Sequence, residues 1–385
     1  MGKKYCIFSA QYLPTIGGVE RYTYNIAKKL IKKGNEVVVV TSNVDNLKEH
    51  EVTEEGIEIY RLPCINLLNG RYPVLKFNKD FFRLNKLLKN IKPDLVIVNT
   101  RLYIHSLYAV RFAKKINVRS IEIEHGTNHL SVNNKLFDKL GAIFEHFLTM
   151  CFKHYCKEFY GVSEACNEWL KHFNITAKST IYNAIDIDEI NELMDNPVKS
   201  YRKDYNIKED DIVVTFTGRL LKEKGVLSAI EAVKKINKDN KKVHLFIAGK
   251  GELEQEIKQM TNDNIILLGP VPFDNVVALL KETDIFCLPT VFPEGLPTSV
   301  LEAIACKCFV ITTDRGGSKE VIINRDYGII MNSNDSEEVY KSLVEVLNDE
   351  NYMNSAIEKS YERLLENFTW ERTAEKVCKI SEESK

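Results

Sequence analysis

The stretch Phe292-Pro-Glu-Gly-Leu-Pro-Thr-Ser-Val-Leu-Glu-Ala303 joins a tight turn to the start of an apolar helix and carries two glutamates. Residues 284–289, which precede it, have the apolar character of a buried strand, so Glu294 is expected in a loop at the carboxyl end of that strand. Glu302 is expected just inside the helix. Open α/β sheets bind ligands at this edge, and helix amino termini attract phosphate. The stretch predicts a nucleotide-sugar site, although an ordinary helix-entry loop would show the same pattern.

Strands alternate with helical segments on both sides of this stretch, which is typical of an α/β fold. The front half opens with a strand at 4–10, a loop that ends in Gly17-Gly18 and a helix at 19–33. The back half opens with a strand at 212–217. The 385 residues are enough for two domains. The pattern predicts two facing Rossmann-like domains with an interdomain cleft, residues 1–187 and 188–367.

The bulk composition excludes several classes of protein. Hydrophobic residues make up 44% of the chain and charged residues 28%, as in a globular protein, and no apolar run is long enough to span a membrane. The nine cysteines are an odd number and lack the paired spacing of a zinc site. We therefore expect free thiols, a cytoplasmic protein, and no metal or other cofactor.

The net charge of −1 hides an asymmetry between the two halves. Residues 1–187 contain 27 Lys and Arg against 18 Asp and Glu, a charge of +9, and the remainder carries −10. A basic half indicates an anionic partner. Nucleic acid is not expected, because no nucleic-acid-binding motif is present. A basic amphipathic helix at 76–92 raises the hypothesis of a peripheral protein on the anionic inner face of the cell membrane, although an ordinary surface helix fits as well.

Two features of the front half stand at predicted carboxyl ends of strands. The Gly17-Gly18 turn would let a ligand approach the backbone closely, or would simply fit helix to strand. The three-glycine dinucleotide fingerprint is absent, which disfavours an NAD-dependent oxidoreductase. His125 follows the strand at 119–124 and is the histidine that we expect at the site, because the others fall in helices or surface segments. A long helix at 135–157, rich in Phe and Leu, is expected to belong to the core.

Two features of the back half occupy the corresponding positions. Arg219 and Lys224 follow the strand at 212–217, where an arginine fork and a lysine point charge could hold a diphosphate. A solvated loop would also be charged, so the pattern alone leaves both interpretations open. The turn Gly249-Lys-Gly251 follows the next strand, at 243–248.

Together these motifs resemble the family 4 retaining glycosyltransferases of GT-B architecture. The resemblance covers the chain from about residue 5 to residue 330 and rests on the order and spacing of short motifs. They are Gly17-Gly18-Val19-Glu20, Glu124-His125-Gly126, Gly161-Val162-Ser163-Glu164, Tyr182-Asn183-Ala184-Ile185-Asp186, Gly218-Arg219 with Lys224-Gly225, Gly249-Lys250-Gly251 and the glutamate pair. The segment 368–385 also looks like the closing helix of the family, which crosses back to the first domain.

The resemblance implies a nucleotide-sugar donor, UDP- or GDP-linked, in the second domain and a glycan or lipid-linked acceptor in the first. Arg219 and Lys224 would hold the donor diphosphate, Glu302 the ribose hydroxyls and Glu294 the transferred sugar. His125 would contact that sugar from the first domain. The remaining positions implied in donor binding are Gly17, Gly18, Gly249, Leu296, Thr298 and Ser299.

One departure from the family pattern concerns the phosphate contact. Pro297 stands where the family often has a second glycine, and proline has no N–H. The contact would therefore come from the backbone amides of Leu296, Thr298 or Ser299. Proline suits the first turn of a helix, so we interpret this residue as a variant of the motif.

The charges favour a metal-independent reaction. Breaking a glycosyl–phosphate bond develops negative charge on the leaving diphosphate, which Arg219, Lys224 and the helix amino terminus could stabilise as preorganised groups. The resemblance implies retention of configuration, with the departing phosphate as base, and a role in cell-surface polysaccharide or lipopolysaccharide assembly. Two alternatives stay open, a nucleotide-sugar epimerase of the same architecture and a non-catalytic nucleotide-sugar-binding protein.

Overall fold

The computed structural model describes residues 2–15, 17–68, 70–131, 134–238 and 242–383. The chain divides into two compact units. Unit 1 comprises Met1–Asn183 and Trp370–Lys385, and unit 2 comprises Ala184–Thr369. Each unit is a predominantly parallel sheet with helices packed on it, so the predicted α/β class with two Rossmann-like folds is confirmed.

Parallel strands form the centre of unit 1. The strands are β1 (Lys4–Ser9), β2 (Glu36–Ser42), β3 (His50–Val52), β4 (Glu58–Leu62), β5 (Cys64–Leu67), β6 (Tyr72–Leu75), β7 (Leu95–Asn99), β8 (Ser120–Glu124), β9 (Glu158–Gly161) and β10 (Ser179–Thr180). Over the described residues they form an eight-stranded sheet in the order β10-β9-β8-β7-β1-β2-β4-β3 and a separate β5-β6 hairpin. In the large sheet the β3–β4 pair is antiparallel. β2 and β7 are nearly continuous runs of buried valine and isoleucine, as expected for strands covered on both faces.

The helices of unit 1 follow the predicted alternation. They are α1 (Gly18–Lys32), α2 (Lys79–Leu88), α3 (Ile104–Lys115), α4 (Lys135–Tyr155) and α5 (Glu164–Lys171). Ser163 caps the start of α5, because its hydroxyl accepts a hydrogen bond from the Cys166 N–H at 3.1 Å. α2 is shorter than predicted, and Asn78 caps it by accepting from the Phe81 N–H.

Unit 2 repeats the same construction. Its strands are β11 (Ile212–Thr217), β12 (Val243–Ala248), β13 (Ile265–Gly269), β14 (Ile285–Leu288), β15 (Phe309–Thr313) and β16 (Ile329–Met331). They are parallel, in the order β13-β12-β11-β14-β15-β16. Its helices are α6 (Ile187–Asp195), α7 (Tyr201–Asp204), α8 (Val226–Lys238), α9 (Glu254–Lys258), α10 (Phe273–Lys281), α11 (Thr298–Ala305), α12 (Ser318–Val321), α13 (Ser336–Leu347) and α14 (Glu350–Asn367).

The last helix, α15 (Trp370–Glu382), belongs to unit 1, as predicted for a closing helix that returns to the first domain. The Trp370 ring packs against the Tyr22 ring of α1 with centroids 5.2 Å apart. The Thr373 hydroxyl donates to the carbonyl oxygen of Tyr182 at 3.0 Å. These contacts fix the helix on α1 and on the end of the sheet. Residues 384 and 385, at the end of the predicted segment 368–385, lie outside the described residues.

In each sheet the strand order reverses at one point. β1 lies between β2 and β7, and β11 lies between β12 and β14. A crevice opens at the carboxyl ends of the strands at such a switch point, and ligands of open α/β sheets bind there. In unit 1 the Gly17-Gly18 turn and Asn99 flank that point, and in unit 2 Arg219 and the loop that carries Glu294 flank it.

The expectation that the helix at 135–157 belongs to the core is wrong for its first two-thirds. α4 buries Glu145, Leu148, Thr149 and Phe152. A stripe of apolar side chains on this helix is instead 43% to 66% exposed: Leu136, Phe137, Leu140, Ile143, Phe144, Phe147 and Met150. Helical periodicity reveals a stripe but does not say which side of the helix meets the protein. No helix within the described ranges is long and apolar enough to cross a bilayer.

Candidate active site

The loop after β11 carries the two predicted cations of unit 2. Arg219 is exposed, whereas Lys224 is buried in a short 3-10 turn. The turn ends at Gly225, which has a φ of 76°. A Cβ on Gly225 would lie 2.1 Å from the carbonyl oxygen of Pro289, so only glycine allows the turn to approach the end of β14 this closely. The loop of Lys224 and the loop of the glutamate motif are therefore packed directly on each other.

The glycines of the Gly249-Lys-Gly251 turn position this cation loop. A Cβ on Gly249 would lie 1.8 Å from the carbonyl oxygen of Gly218, and one on Gly251 would lie 2.4 Å from that of Leu220. The Leu220 N–H also donates to the carbonyl oxygen of Lys250 at 2.9 Å. The structure thus gives Gly249 a supporting role under Arg219, and its contact with a donor stays a prediction.

The ammonium group of Lys224 forms an ion pair with the Glu294 carboxylate, and the two side chains are only 11% and 15% exposed. The ring of Phe292 supports both cations, because the Arg219 guanidinium carbon lies 4.6 Å and Lys224 Nζ 5.2 Å from its centroid. Sequence reasoning missed Phe292, which was quoted only as the start of the motif. The available signal was an aromatic residue two positions before Glu294, in a loop expected at the same sheet edge as Arg219 and Lys224.

The backbone of the Glu294 loop is held in place from two sides. The Val291 N–H donates to the carbonyl oxygen of Glu223 at 2.7 Å. The Gly317 N–H donates to that of Gly295 at 2.7 Å. Gly316 has a φ of 55°, and a Cβ there would approach the Glu294 carbonyl oxygen to 2.4 Å. The loop therefore presents Glu294 from a constrained backbone rather than from a freely solvated turn.

The second glutamate lies where the sequence predicts it. α11 starts at Thr298, directly after Pro297, and Glu302 is half-buried in its second turn. Pro297 is the residue before the helix and makes no side-chain cap hydrogen bond to its first turn. Leu296 is buried, and Thr298 and Ser299 are half-buried at this end. The positive end of the helix dipole thus lies beside the Glu294 loop.

His125 in unit 1 is held by a chain of hydrogen bonds that sequence reasoning did not foresee. Its Nε2 lies 3.1 Å from Oδ1 of Asn99, whose Nδ2 donates to Thr23 Oγ1 at 2.8 Å. Because Asn99 Oδ1 can only accept, His125 Nε2 carries the proton and Nδ1 keeps its lone pair. Burial lowers the pKa of His125 to about 3, so the ring is neutral at physiological pH. The ring also packs edge-on against Tyr22, with centroids 4.6 Å apart.

The Gly17-Gly18 turn begins α1. The Glu20 side chain folds back onto the turn, and hydrogen bonds from the N–H groups of Glu20 and Gly17 partly offset the burial that raises the pKa of this carboxyl. A Cβ on Gly17 would lie 2.3 Å from Glu20 Oε2, whereas one on Gly18 would meet open space. Glu20 thus acts as the return half of a capping box. Contact of Gly17 and Gly18 with a donor stays a prediction.

Buried charges support the segment that carries His125. The Glu124 Oε1 accepts from the N–H groups of His125, at 3.0 Å, and Gly126, at 3.1 Å. The Arg101 side chain is fully buried, and its Nε lies 3.2 Å from Glu124 Oε2. Burial raises the pKa of Glu124, while Arg101 and the two amides oppose that rise. This arrangement fixes the backbone at the carboxyl end of β8.

Two family models between them match most of the chain. The model described as "Glycosyltransferase Family 4" matches residues 16–189, and the model described as "Glycosyl transferases group 1" matches residues 197–363. The chain belongs to the family 4, group 1 glycosyltransferases. It is therefore a transferase. This finding argues against the two alternatives, the epimerase and the non-catalytic binding protein.

Relatives of this glycosyltransferase span nearly its full length. An uncharacterised glycosyltransferase of Methanocaldococcus jannaschii is 27% identical over 98% of both chains. An enzyme of Campylobacter jejuni named as an undecaprenol-diphosphate-linked-glycan α-1,4-N-acetyl-D-galactosaminyltransferase is 25% identical over 90% of both. The solved structure of HepE from Anabaena with UDP covers 99% of both chains at a TM-score of 0.74 and 16% identity. At this low identity, the similarity to HepE supports the fold alone.

Proposed function

We propose that this glycosyltransferase moves a sugar from a UDP- or GDP-sugar to a lipid-linked saccharide, with retention of configuration and without a divalent metal. The observation that carries the proposal is the switch point of the unit 2 sheet. There Arg219, Lys224 and Glu294 meet on two loops that glycines lock together. The complex of the structurally similar HepE with UDP supports a nucleotide-linked donor.

Lys224 and Glu294 pair with each other before a donor binds. An arriving diphosphate competes for the Lys224 ammonium, because it offers more negative charge than one carboxylate. Release from Lys224 leaves Glu294 able to accept hydrogen bonds from hydroxyls of the transferred sugar. The exposed Arg219 and the amino terminus of α11 then share the charge that develops on the departing diphosphate. Glu302, one turn into α11, accepts from the ribose hydroxyls.

Retention follows in this proposal from the departing phosphate. As the glycosyl–phosphate bond breaks, the leaving phosphate oxygen takes the proton of the acceptor hydroxyl. The acceptor oxygen then bonds to the anomeric carbon on the face that the phosphate leaves. In unit 1 the neutral His125 presents Nδ1 as an acceptor for a hydroxyl of the sugar. Its ring orientation is set beforehand by Asn99 and Tyr22.

A lipid-linked acceptor is supported by the surface of unit 1. The exposed apolar stripe of α4 borders an apolar cavity of about 310 Å³, lined by Leu68, Tyr72, Leu102 and Phe144 among others. The front half of the chain, which supplies most of unit 1, is also basic and suited to an anionic membrane. The name of the Campylobacter jejuni relative specifies a polyprenol-diphosphate acceptor. These features support the proposal that the reaction takes place at the inner face of the cell membrane, in the assembly of surface polysaccharide or lipopolysaccharide.

The experiment that tests this proposal screens UDP- and GDP-sugars by thermal shift and by slow hydrolysis. One donor is expected to raise the melting temperature and to be hydrolysed, and Glu294→Ala should abolish hydrolysis while leaving the fold intact. With a lipid-linked saccharide added, NMR should show a product of retained configuration, and added Mg²⁺ should not raise the rate. Conversion of the donor to an epimer without acceptor, or hydrolysis undiminished in Glu294→Ala, would contradict the proposal.

A further inference from the structure

Three histidines that are far apart in the sequence meet on the surface of unit 1. His129 lies between β8 and α4, His146 is on α4, and His172 caps the carboxyl end of α5. One potential ligand atom from each lies within 4.8 Å of the others. His146 Nε2 is 3.1 Å from His172 Nε2. These residues are separate from the predicted donor-binding residues.

The spacing of the rings matches three imidazoles around one metal ion. Tetrahedral Zn²⁺ with Zn–N distances of about 2.0–2.1 Å places its nitrogen ligands roughly 3.3 Å apart and the ring centroids roughly 5 Å apart. The observed centroid distances are 4.9 Å for His146–His172, 5.2 Å for His129–His172 and 5.6 Å for His129–His146. Aromatic packing would bring rings this close, and a hydrogen bond accounts for the nitrogens of His146 and His172, but the third ring, His129, also places a nitrogen beside that pair.

A carboxylate orients the first of these ligands. His129 Nδ1 lies 2.7 Å from Glu145 Oε2, which leaves Nε2 as the nitrogen for an ion. Histidine ligands of metals usually hold a carboxylate or carbonyl on their second nitrogen in this way. Glu145 is itself fixed, because its Oε1 accepts from Arg101 Nη1 at 2.7 Å. The His172 ring is held by stacking on Trp169 at 4.9 Å and 9°.

The surroundings also suit a cation. Arg101 forms ion pairs with Glu124 and Glu145, so the buried groups behind the cluster are two carboxylates and one guanidinium. His146 and His172 are exposed and the His129 side chain is 24% exposed, so an ion can enter from solvent. Three protein ligands leave one tetrahedral position for water.

We propose that His129, His146 and His172 bind a divalent first-row transition-metal ion, with Zn²⁺ the best fit to neutral imidazole ligands. The ion would tie the loop before α4 to α4 and α5. Through Glu145, Arg101 and Glu124 the same contacts reach the backbone amides of His125 and Gly126. The site would therefore stiffen the segment that carries His125.

The test uses the full-length, tag-free protein, stripped with EDTA and titrated with Zn²⁺. We expect one ion per chain by elemental analysis and calorimetry, together with a higher melting temperature. Co²⁺ should give the visible absorption bands of a tetrahedral site. His146→Ala and His172→Ala remove exposed side chains, so both should fold, and each should weaken Zn²⁺ binding at least about 100-fold, more than the 10- to 100-fold typical of second-shell changes.

His154→Ala is the matched control, because His154 is also an exposed histidine of α4 but lies outside the cluster. It should bind Zn²⁺ as the unaltered protein does. Absence of stoichiometric binding at micromolar Zn²⁺ would overturn the proposal. Equal binding by the unaltered protein, His146→Ala and His172→Ala would also overturn it, since the ion would then be bound elsewhere.

Discussion

Units 1 and 2 each contain a predominantly parallel sheet with a switch point. They differ in where their charged side chains and their exposed apolar side chains lie. Unit 2 exposes Arg219 at its switch point, and its exposed large apolar side chains, such as Val198, Ile323 and Leu365, are scattered. Unit 1 buries Arg101 with Glu122 and Glu124, and exposes a continuous apolar stripe on α4. The same scaffold thus offers a charged site for an anionic ligand in one unit and an apolar surface over a rigid charged interior in the other.

The largest expected effect concerns the cations of unit 2. Arg219→Ala and Lys224→Ala should each lower turnover by roughly 100- to 1000-fold, about 3–4 kcal/mol of transition-state stabilisation, because each removes a preorganised partner of the leaving diphosphate. Steady-state kinetics with the donor found by screening, together with circular dichroism, would measure this. The exposed Lys222 in the same turn provides the control, and Lys222→Ala should stay within about twofold. Near-normal rates in both Arg219→Ala and Lys224→Ala would contradict the role of these cations in stabilising the leaving diphosphate.

A second prediction concerns the support under those cations. Gly249→Ala should lower the free energy of unfolding of unit 2 by more than the ~1–3 kcal/mol of backbone strain, because its φ is 147° and the new Cβ would overlap the Gly218 carbonyl. Gly269→Ala is the matched control, with a φ of 72° and open space around the Cβ. Urea denaturation of the two variants separates strain from overlap. Equal midpoints would mean that the loop moves away without cost.

The apolar surface of unit 1 can be tested by weakening membrane binding. Replacing Phe137 and Phe147 together by serine should reduce binding to vesicles that contain anionic phospholipid by at least roughly 100-fold, since each Phe side chain contributes about 1.5–3 kcal/mol when the bilayer removes it fully from water. Donor hydrolysis should persist. Co-sedimentation at low salt measures the binding.

Phe82→Ser is the control for the vesicle experiment. Phe82 is 60% exposed on α2, the helix for which the sequence raised the membrane hypothesis. If α4 is the contacting surface, Phe82→Ser should bind vesicles normally. A loss confined to Phe82→Ser would shift the surface to α2, and the absence of any vesicle binding by the unaltered protein would end the hypothesis.

The smallest effect concerns the buried interior of unit 1. His105 is fully buried, burial lowers its pKa to about 3, and its ring makes no hydrogen bond within the described residues. An unfolded chain binds a proton there below about pH 6.5, whereas the folded chain excludes it, so stability falls as pH falls from 6.5 towards 3. His105→Leu should remove this loss, on the order of 0.7 kcal/mol between pH 7 and pH 6.

Denaturation of both proteins across that pH range measures the difference. Burial raises the pKa of Glu122 and Glu124. Their effect on stability is opposite to that of His105, because the folded chain retains protons that the unfolded chain releases. Both carboxyls are present in both proteins, so their effect cancels in the comparison. Parallel profiles for the two proteins would show that His105 does not contribute.

Much of the fold could be predicted because its signals are local. The alternation of apolar strands with helical segments indicated two α/β sheets, and glycines marked the strand-to-helix turns. The β5–β6 hairpin was missed, since its strands are four residues long and β5 is mostly exposed. The orientation of α4 was mistaken because an apolar stripe has the same period whether it faces a core or solvent.

The sequence by itself determined the α/β class, the two-unit order, the family and the placement of Arg219, Lys224, Glu294 and Glu302 after strands or at a helix start. Such features depend on residues that are neighbours in the chain. Tertiary structure alone decided that Lys224 pairs with Glu294 over Phe292 and that Asn99 orients His125. It also decided that three distant histidines converge, because such contacts arise only when separate strands and helices pack together.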